Sequence, residues 1–133
     1  MTLYVDTSAL LKRYVDEHDS EAAIGLMAID PVLVTSRLTE IEVRRSLTRL
    51  LDGDALEACR RRFVDDLDAF ALVAIDAVVC NAAARLAEQT LCRSLDAIHL
   101  ASAERAGTGT VVLTFDLRQA QAARSVGLHV VGA

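Results

Sequence analysis

"LYVDTSALL", residues 3–11, changes its period in the middle. Leu3, Tyr4 and Val5 make a short apolar run of strand type, and Ala9, Leu10 and Leu11 open the apolar face of a helix. Between them stand Asp6, Thr7 and Ser8, residue types that start helices. A strand that hands over directly to a helix is the first half of a βαβ unit, so this stretch sets the class of the chain. It also puts a carboxylate, Asp6, at the carboxyl end of the first strand, where capping a helix is the simplest use for it.

The same alternation runs to the end. Short β-branched or apolar runs predict strands near residues 2–6, 32–35, 71–75, 110–114 and 128–131. Amphipathic stretches predict helices near 7–16, 20–29, 39–51, 54–69, 76–90, 95–106 and 117–126. Gly53 and Gly107 stand where glycines close helices, and Gly127 ends the last helix before a final strand. Pro31 closes the second helix, and Asp54 with Glu57 has capping-box spacing. The pattern is α/β: a mostly parallel central sheet of about five strands flanked by helices, in one domain over residues 1–133. The segment "AGTGTVV", residues 106–112, precedes a strand instead of following one, so dinucleotide and P-loop chemistry fail on context.

At 133 residues the chain can bury about two-thirds of its unfolded surface. A hydrophobic content of 53% with one proline excludes a disordered chain. The longest apolar runs, such as Phe70 to Ile75, are far short of a bilayer span, and the strand-like start carries no basic leader. Cys59, Cys80 and Cys92 are odd in number and lack CxxC spacing, which predicts three buried structural thiols in a reducing cytoplasm. The net charge of −5 carries no general basic stripe, although Lys12–Arg13, Arg44–Arg45–Arg49 and Arg60–Arg61–Arg62 form local clusters.

In open α/β sheets, sites form beyond the carboxyl ends of the strands. The acids there are Asp6, Asp116 after "VVLTF", Asp96 at the start of "SLDAIHLASAERAG", and a glutamate of "TEIEVRRSL". Each has an ordinary structural use as a cap or a first-turn acid, Thr39 and Glu42 included, at capping-box spacing. Together, four carboxylates at one sheet edge would repel one another, and a cation removes that penalty. Hard oxygen ligands without histidine suit Mg²⁺ or Mn²⁺, ions that polarise a phosphodiester and acidify a water. Which glutamate belongs is open at this point. Glu40 shares a helical stripe with Val43, Leu47 and Leu51, whereas Glu42 shares its face with Arg45, Ser46 and Arg49, so periodicity alone turns Glu40 toward the sheet. His99, three residues after Asp96, reads as a hydrogen-bonding neighbour of the acids.

Four stretches in order, "LYVDTSALLKRYVDE" (3–17), "SRLTEIEVRRSL" (36–47), "CRSLDAIHLASAERAG" (92–107) and "VVLTFDLRQAQAARSVGLHVV" (111–131), resemble the PIN domain, and specifically the VapC-type toxins of toxin–antitoxin systems. The resemblance implies a PIN-like fold and a Mg²⁺- or Mn²⁺-dependent endoribonuclease, held inactive by a small VapB-like antitoxin and forming a homodimer. By motif match Asp6, Glu42, Asp96 and Asp116 take the family's metal-binding positions, and Thr7, Ser8 and Thr114 the hydroxyl positions around them. It implies cleavage to 5′-phosphate and 3′-hydroxyl ends. Lys12, Arg13, Arg44, Arg45 and Arg49 are the candidates to hold RNA backbone.

Two other classes of function compete with this one. Phosphoryl transfer through Asp6 wants a second aspartate two residues on, where Ser8 stands, or a late lysine at a strand end, and Lys12 is the last lysine. A stand-alone nuclease, or a non-catalytic partner-binding module on the same fold, differs from the toxin in whether a small protein binds and blocks the acids.

Overall fold

The computed structural model describes residues 2–29 and 32–133; the expected helix stop at Pro31 lies outside them. In chain order the elements are β1 (Thr2–Val5), α1 (Thr7–Leu11), α2 (Ser20–Ile29), β2 (Val32–Ser36), α3 (Arg37–Leu50) and α4 (Gly53–Leu67). Then come β3 (Phe70–Val73), α5 (Ala77–Thr90), α6 (Ser94–Arg105), β4 (Val111–Thr114), α7 (Leu117–Ser125) and β5 (His129–Gly132). The sheet has five strands in the order β3-β2-β1-β4-β5, and every pairing is parallel. The chain winds outward from β1 through β2 to β3, then crosses back to β4 beside β1. The topological switch point therefore falls between β1 and β4.

Strand alternation decides which helices β1 meets. Leu3 and Val5 join Leu10, Met27, Val43, Leu47 and Phe63 in the core under α1 to α4. Tyr4 faces the opposite way and packs with Val34, Ala103 and Val112 beneath α6. Asp6 continues the Tyr4 side, which aims it toward α6 and Asp96. A third cluster, Val79, Ala83, Leu86, Leu100 and Ala123, joins α5, α6 and α7.

The departures from the sequence expectation each have a local cause. Helix α1 stops at Leu11, not near 16. Its exit tightens into three-residue turns, with Lys12 N–H bonding Ala9 C=O and Arg13 N–H bonding Leu10 C=O. Tyr14 is drawn instead onto the Phe63 ring, 5.7 Å away edge-on, and its hydroxyl donates to Asp66 at 2.6 Å. Helix α3 starts at Arg37 because Ser36 caps it, accepting from Leu38 N–H at 3.0 Å. Thr39 is therefore inside the helix and buried, hydrogen-bonded to Thr35 at 2.8 Å, and the Thr39–Glu42 capping box does not form. Gly53 opens α4 instead of closing α3, whose cap is Leu51. Asp54 then lies in the first turn of α4, two positions past the Asp52 cap and too late for its capping box. Leu91 closes α5 in the left-handed region (φ 58°), where no glycine marked the end.

The expectation of three buried thiols is also corrected. Cys59 and Cys92 are partly buried but Cys80 is exposed. Val79, Ala83 and Leu86 bury one face of α5, and Cys80 lies off that stripe. In the folded protein iodoacetamide is expected to label Cys80 first, read by peptide mass; faster labelling of Cys59 or Cys92 would contradict this packing. Among the described residues no helix is long and apolar enough to cross a membrane.

Candidate active site

Because β1 and β4 run side by side with Val5 opposite Leu113, the residues just past them emerge together. The ladder continues one step further, Asp6 N–H bonding Leu113 C=O at 3.1 Å. Asp6 is 3% exposed and caps α1: its Oδ1 accepts from Ala9 N–H at 3.0 Å and from the Ser8 hydroxyl at 2.7 Å. Asp116 caps α7 in the same way, Oδ1 accepting from the amides of Arg118 (2.9 Å) and Gln119 (3.3 Å). Both aspartates thus do serve as caps, through one oxygen each, and the caps leave Oδ2 uncommitted. Capping and lining a site prove compatible.

Small hydroxyls stitch the two strand ends. Phe115 N–H donates to Ser8 Oγ at 3.0 Å, and Asp116 N–H donates to Thr114 Oγ1 at 3.1 Å. Thr7, in the first turn of α1, donates to Glu42 Oε1 on α3 at 2.6 Å. The same oxygen lies 2.7 Å from His99 Nε2 on α6. A carboxylate only accepts, so His99 donates from Nε2, while its Nδ1 lies 2.7 Å from the Tyr4 hydroxyl. A chain Tyr4–His99–Glu42–Thr7, buried at its Tyr4 and His99 end, therefore fixes the glutamate. Glu40, which periodicity turned toward the sheet, instead pairs with Arg37 at 2.9 Å on the outer side of α3.

These groups border one pocket of about 310 Å³, lined by Asp6, Glu42, Asp96, Asp116, Arg93 and Gln119 among others. Asp96 stands in the first turn of α6, and its Oδ2 lies 3.2 Å from Arg93 Nε. The electrostatics differ from acid to acid. Burial pushes the Asp6 carboxyl above its ordinary value, more than the His99 charge, the Thr114 and Ser8 hydroxyls and the Ala9 amide pull it down. At Glu42 burial also opposes the charge, but the hydrogen bonds from His99 and Thr7, with the His99 charge, outweigh it and the carboxyl is lowered. The Asp6 charge, which burial disfavours, thus gains from a positive neighbour.

The donor chemistry suits a hard divalent cation. Carboxylates from four different segments share the pocket, and Gln119 Oε1, buried beside them, has no hydrogen-bond partner among the described residues. Still, no three His, Cys, Asp or Glu side chains among the described residues stand close enough to grasp an ion as they are. The positive charge between Asp96 and Asp116 is the Arg93 guanidinium, 4.0 Å from Asp116 Oδ2.

Arg93 and the Tyr4–His99 link were missed in the sequence, though both left a signal. Arg93 precedes Asp96 by three residues, a helical pairing distance, and Tyr4 precedes Asp6 by two, which puts them on one strand face. The basic residues singled out for RNA lie elsewhere. Lys12 is 8% exposed, paired with Glu17 at 2.8 Å and set over the Phe115 ring. Arg13 sits 3.4 Å from Asp66. Arg44 and Arg45 line a separate groove between α3 and α4, and Arg49 is exposed on α3.

The PIN-domain family profile matches residues 3–125. Ribonuclease VapC35 of Mycobacterium tuberculosis is 38% identical over 134 residues, 97% of this chain and 95% of the relative. Two solved structures share the fold at 19% identity. FitAcB from Neisseria gonorrhoeae has a TM-score of 0.77 over 98% of this chain and 96% of that one. A toxin–antitoxin complex from Klebsiella pneumoniae has 0.74 over 99% and 97%.

Proposed function

Because this chain belongs to the PIN-domain family, we propose that it is a metal-dependent endoribonuclease, the toxin of a toxin–antitoxin pair, with residues 1–133 forming one PIN domain. The observation that carries the reading is the meeting of Asp6, Glu42, Asp96 and Asp116 at the switch point of the sheet. The PIN-domain profile over residues 3–125 and the ribonuclease name of a relative 38% identical support it.

Mg²⁺ or Mn²⁺ held by these four acids would supply charge to neutralise the phosphodiester and would acidify a water. The chain's own part is to hold the carboxylates ready. The caps on Asp6 and Asp116 fix both side chains through their Oδ1 atoms and leave each Oδ2 to the pocket side, while the acids would still have to draw together around a cation. Glu42 is held charged by His99 and Thr7. Ser8 keeps the β1 and β4 ends in register, taking the Phe115 N–H and standing 3.4 Å from the Thr114 hydroxyl. In-line attack of water on phosphorus expels the 3′-oxygen, leaving 5′-phosphate and 3′-hydroxyl ends. Arg44, Arg45 and Arg49, on the helix that carries Glu42, are better disposed to follow RNA backbone than Lys12 or Arg13, which are engaged with acids.

A small VapB-like antitoxin is the proposed partner, in keeping with the toxin–antitoxin complex of the same fold, and a homodimer the proposed assembly. Three free cysteines agree with a reducing cytoplasm. The test is incubation of total RNA with the purified protein in Mg²⁺, Mn²⁺ or EDTA, with the product ends mapped. Cation-dependent cuts bearing 5′-phosphates are expected. Cleavage that persists in EDTA, or none with either ion across cellular RNA, would contradict the reading.

A further inference from the structure

Arg93 supplies the backbone cap of α6, and its side chain reaches over the first turn to the acids. Nε lies 3.2 Å from Asp96 Oδ2, and Nη2 lies 4.0 Å from Asp116 Oδ2. The Asp116 oxygen is the one its helix cap does not use, since Oδ1 is taken by the amides of Arg118 and Gln119. A single positive group therefore joins two carboxylates from different segments, which is the place a divalent cation would take.

The grip is weak. Arg93 is 63% exposed at its side chain and has one contact of hydrogen-bond length in the pocket, an i,i+3 pair with the 12%-exposed Asp96 that water screens from the arginine side. A cation with twice the charge and a preference for hard oxygen displaces it readily. The backbone of Arg93 stays fixed, with its C=O accepting from Ala97 N–H at 2.9 Å, so a displaced guanidinium remains at the pocket rim. Among the described residues it is the one Lys or Arg that lines this pocket. Its planar fork matches phosphate geometry.

We infer that Arg93 competes with the divalent cation for the Asp96 and Asp116 carboxylates and, once displaced, grips the RNA phosphate beside it. This rests on the ribonuclease reading above. The guanidinium neutralises the acids while no cation is bound, and becomes a substrate-binding residue when one is.

Two measurements on Arg93→Ala and Arg93→Lys test it. In calorimetric titration with Mn²⁺ alone, Arg93→Ala is expected to bind roughly three- to tenfold more tightly than wild type, because a competing charge is gone. At saturating Mn²⁺ its kcat/KM on RNA is expected to fall about a hundredfold, mostly through KM, with Arg93→Lys recovering part because charge returns without the fork. A residue that only supported the α6 start would not raise Mn²⁺ affinity. If wild type binds Mn²⁺ and cleaves RNA while Arg93→Ala binds the ion no more tightly, or cleaves as well as wild type, the inference is overturned and the ribonuclease reading stands. A wild-type protein that neither binds Mn²⁺ nor cleaves overturns both.

Discussion

Asp6→Asn is expected to lose about a thousandfold in RNA cleavage while melting higher than wild type in EDTA. Asparagine keeps the acceptor that caps α1 and receives the Ser8 hydroxyl, so the local fold survives. What it removes is a buried charge. Burial raises the Asp6 carboxyl above its ordinary 3.8. A group raised in this way contributes stability that is fully present below 3.8 and is lost as pH rises through the higher folded value. At neutral pH and without a cation, wild type therefore carries an unfavourable buried carboxylate that the variant lacks. The melting temperature should rise by roughly a few degrees. Added Mn²⁺ should reverse the order, since a ligand of the folded state stabilises only the protein that binds it. A lower melting point in EDTA, or cleavage kept within a few-fold of wild type, would show that Asp6 is only a helix cap.

Glu42→Gln against Glu40→Gln is the second large contrast. Glu42 borders the pocket and is held by Thr7 and His99, whereas Glu40 pairs with Arg37 on the outer side of α3. Glu42→Gln should reduce cleavage by about a hundredfold or more, and Glu40→Gln should leave it within about twofold. Loss of activity in Glu40→Gln with Glu42→Gln active would reverse the assignment. The Glu42 change should also loosen His99, which loses a charged acceptor on one side and keeps the Tyr4 hydroxyl on the other.

The strand–helix alternation was legible because each strand is a short apolar run bounded by polar starters, as in Leu3 to Ser8. Parallel pairing followed from the helices between the strands, and the order β3-β2-β1-β4-β5 placed Asp6 and Asp116 just past the ends of adjacent strands. Boundaries failed where tertiary contacts outweighed local pattern. Tyr14 leaves the α1 path for Phe63 and Asp66. The Glu40 stripe misled because periodicity reports burial against a core: Glu42 points into a polar pocket, which a hydrophobic wheel scores as solvent. Single-letter chemistry also hid the pairing of Arg93 with two acids, one of them far along the chain, since the spacing to Asp116 is set only by the fold. Cysteine is usually buried, and only the packing of α5 on α6 turns Cys80 outward.

The most direct test of the account is titration of Mn²⁺ into wild type and Asp96→Asn, followed by calorimetry. Asp96 has a direct partner in Arg93 and stands within the first turn of a well-packed helix, so the substitution leaves the fold in place. Wild type is expected to bind the ion, and Asp96→Asn to bind it at least about tenfold more weakly. Equal affinity in the two proteins, or no binding by wild type, would contradict the claim that the carboxylates at the β1–β4 edge hold a catalytic cation.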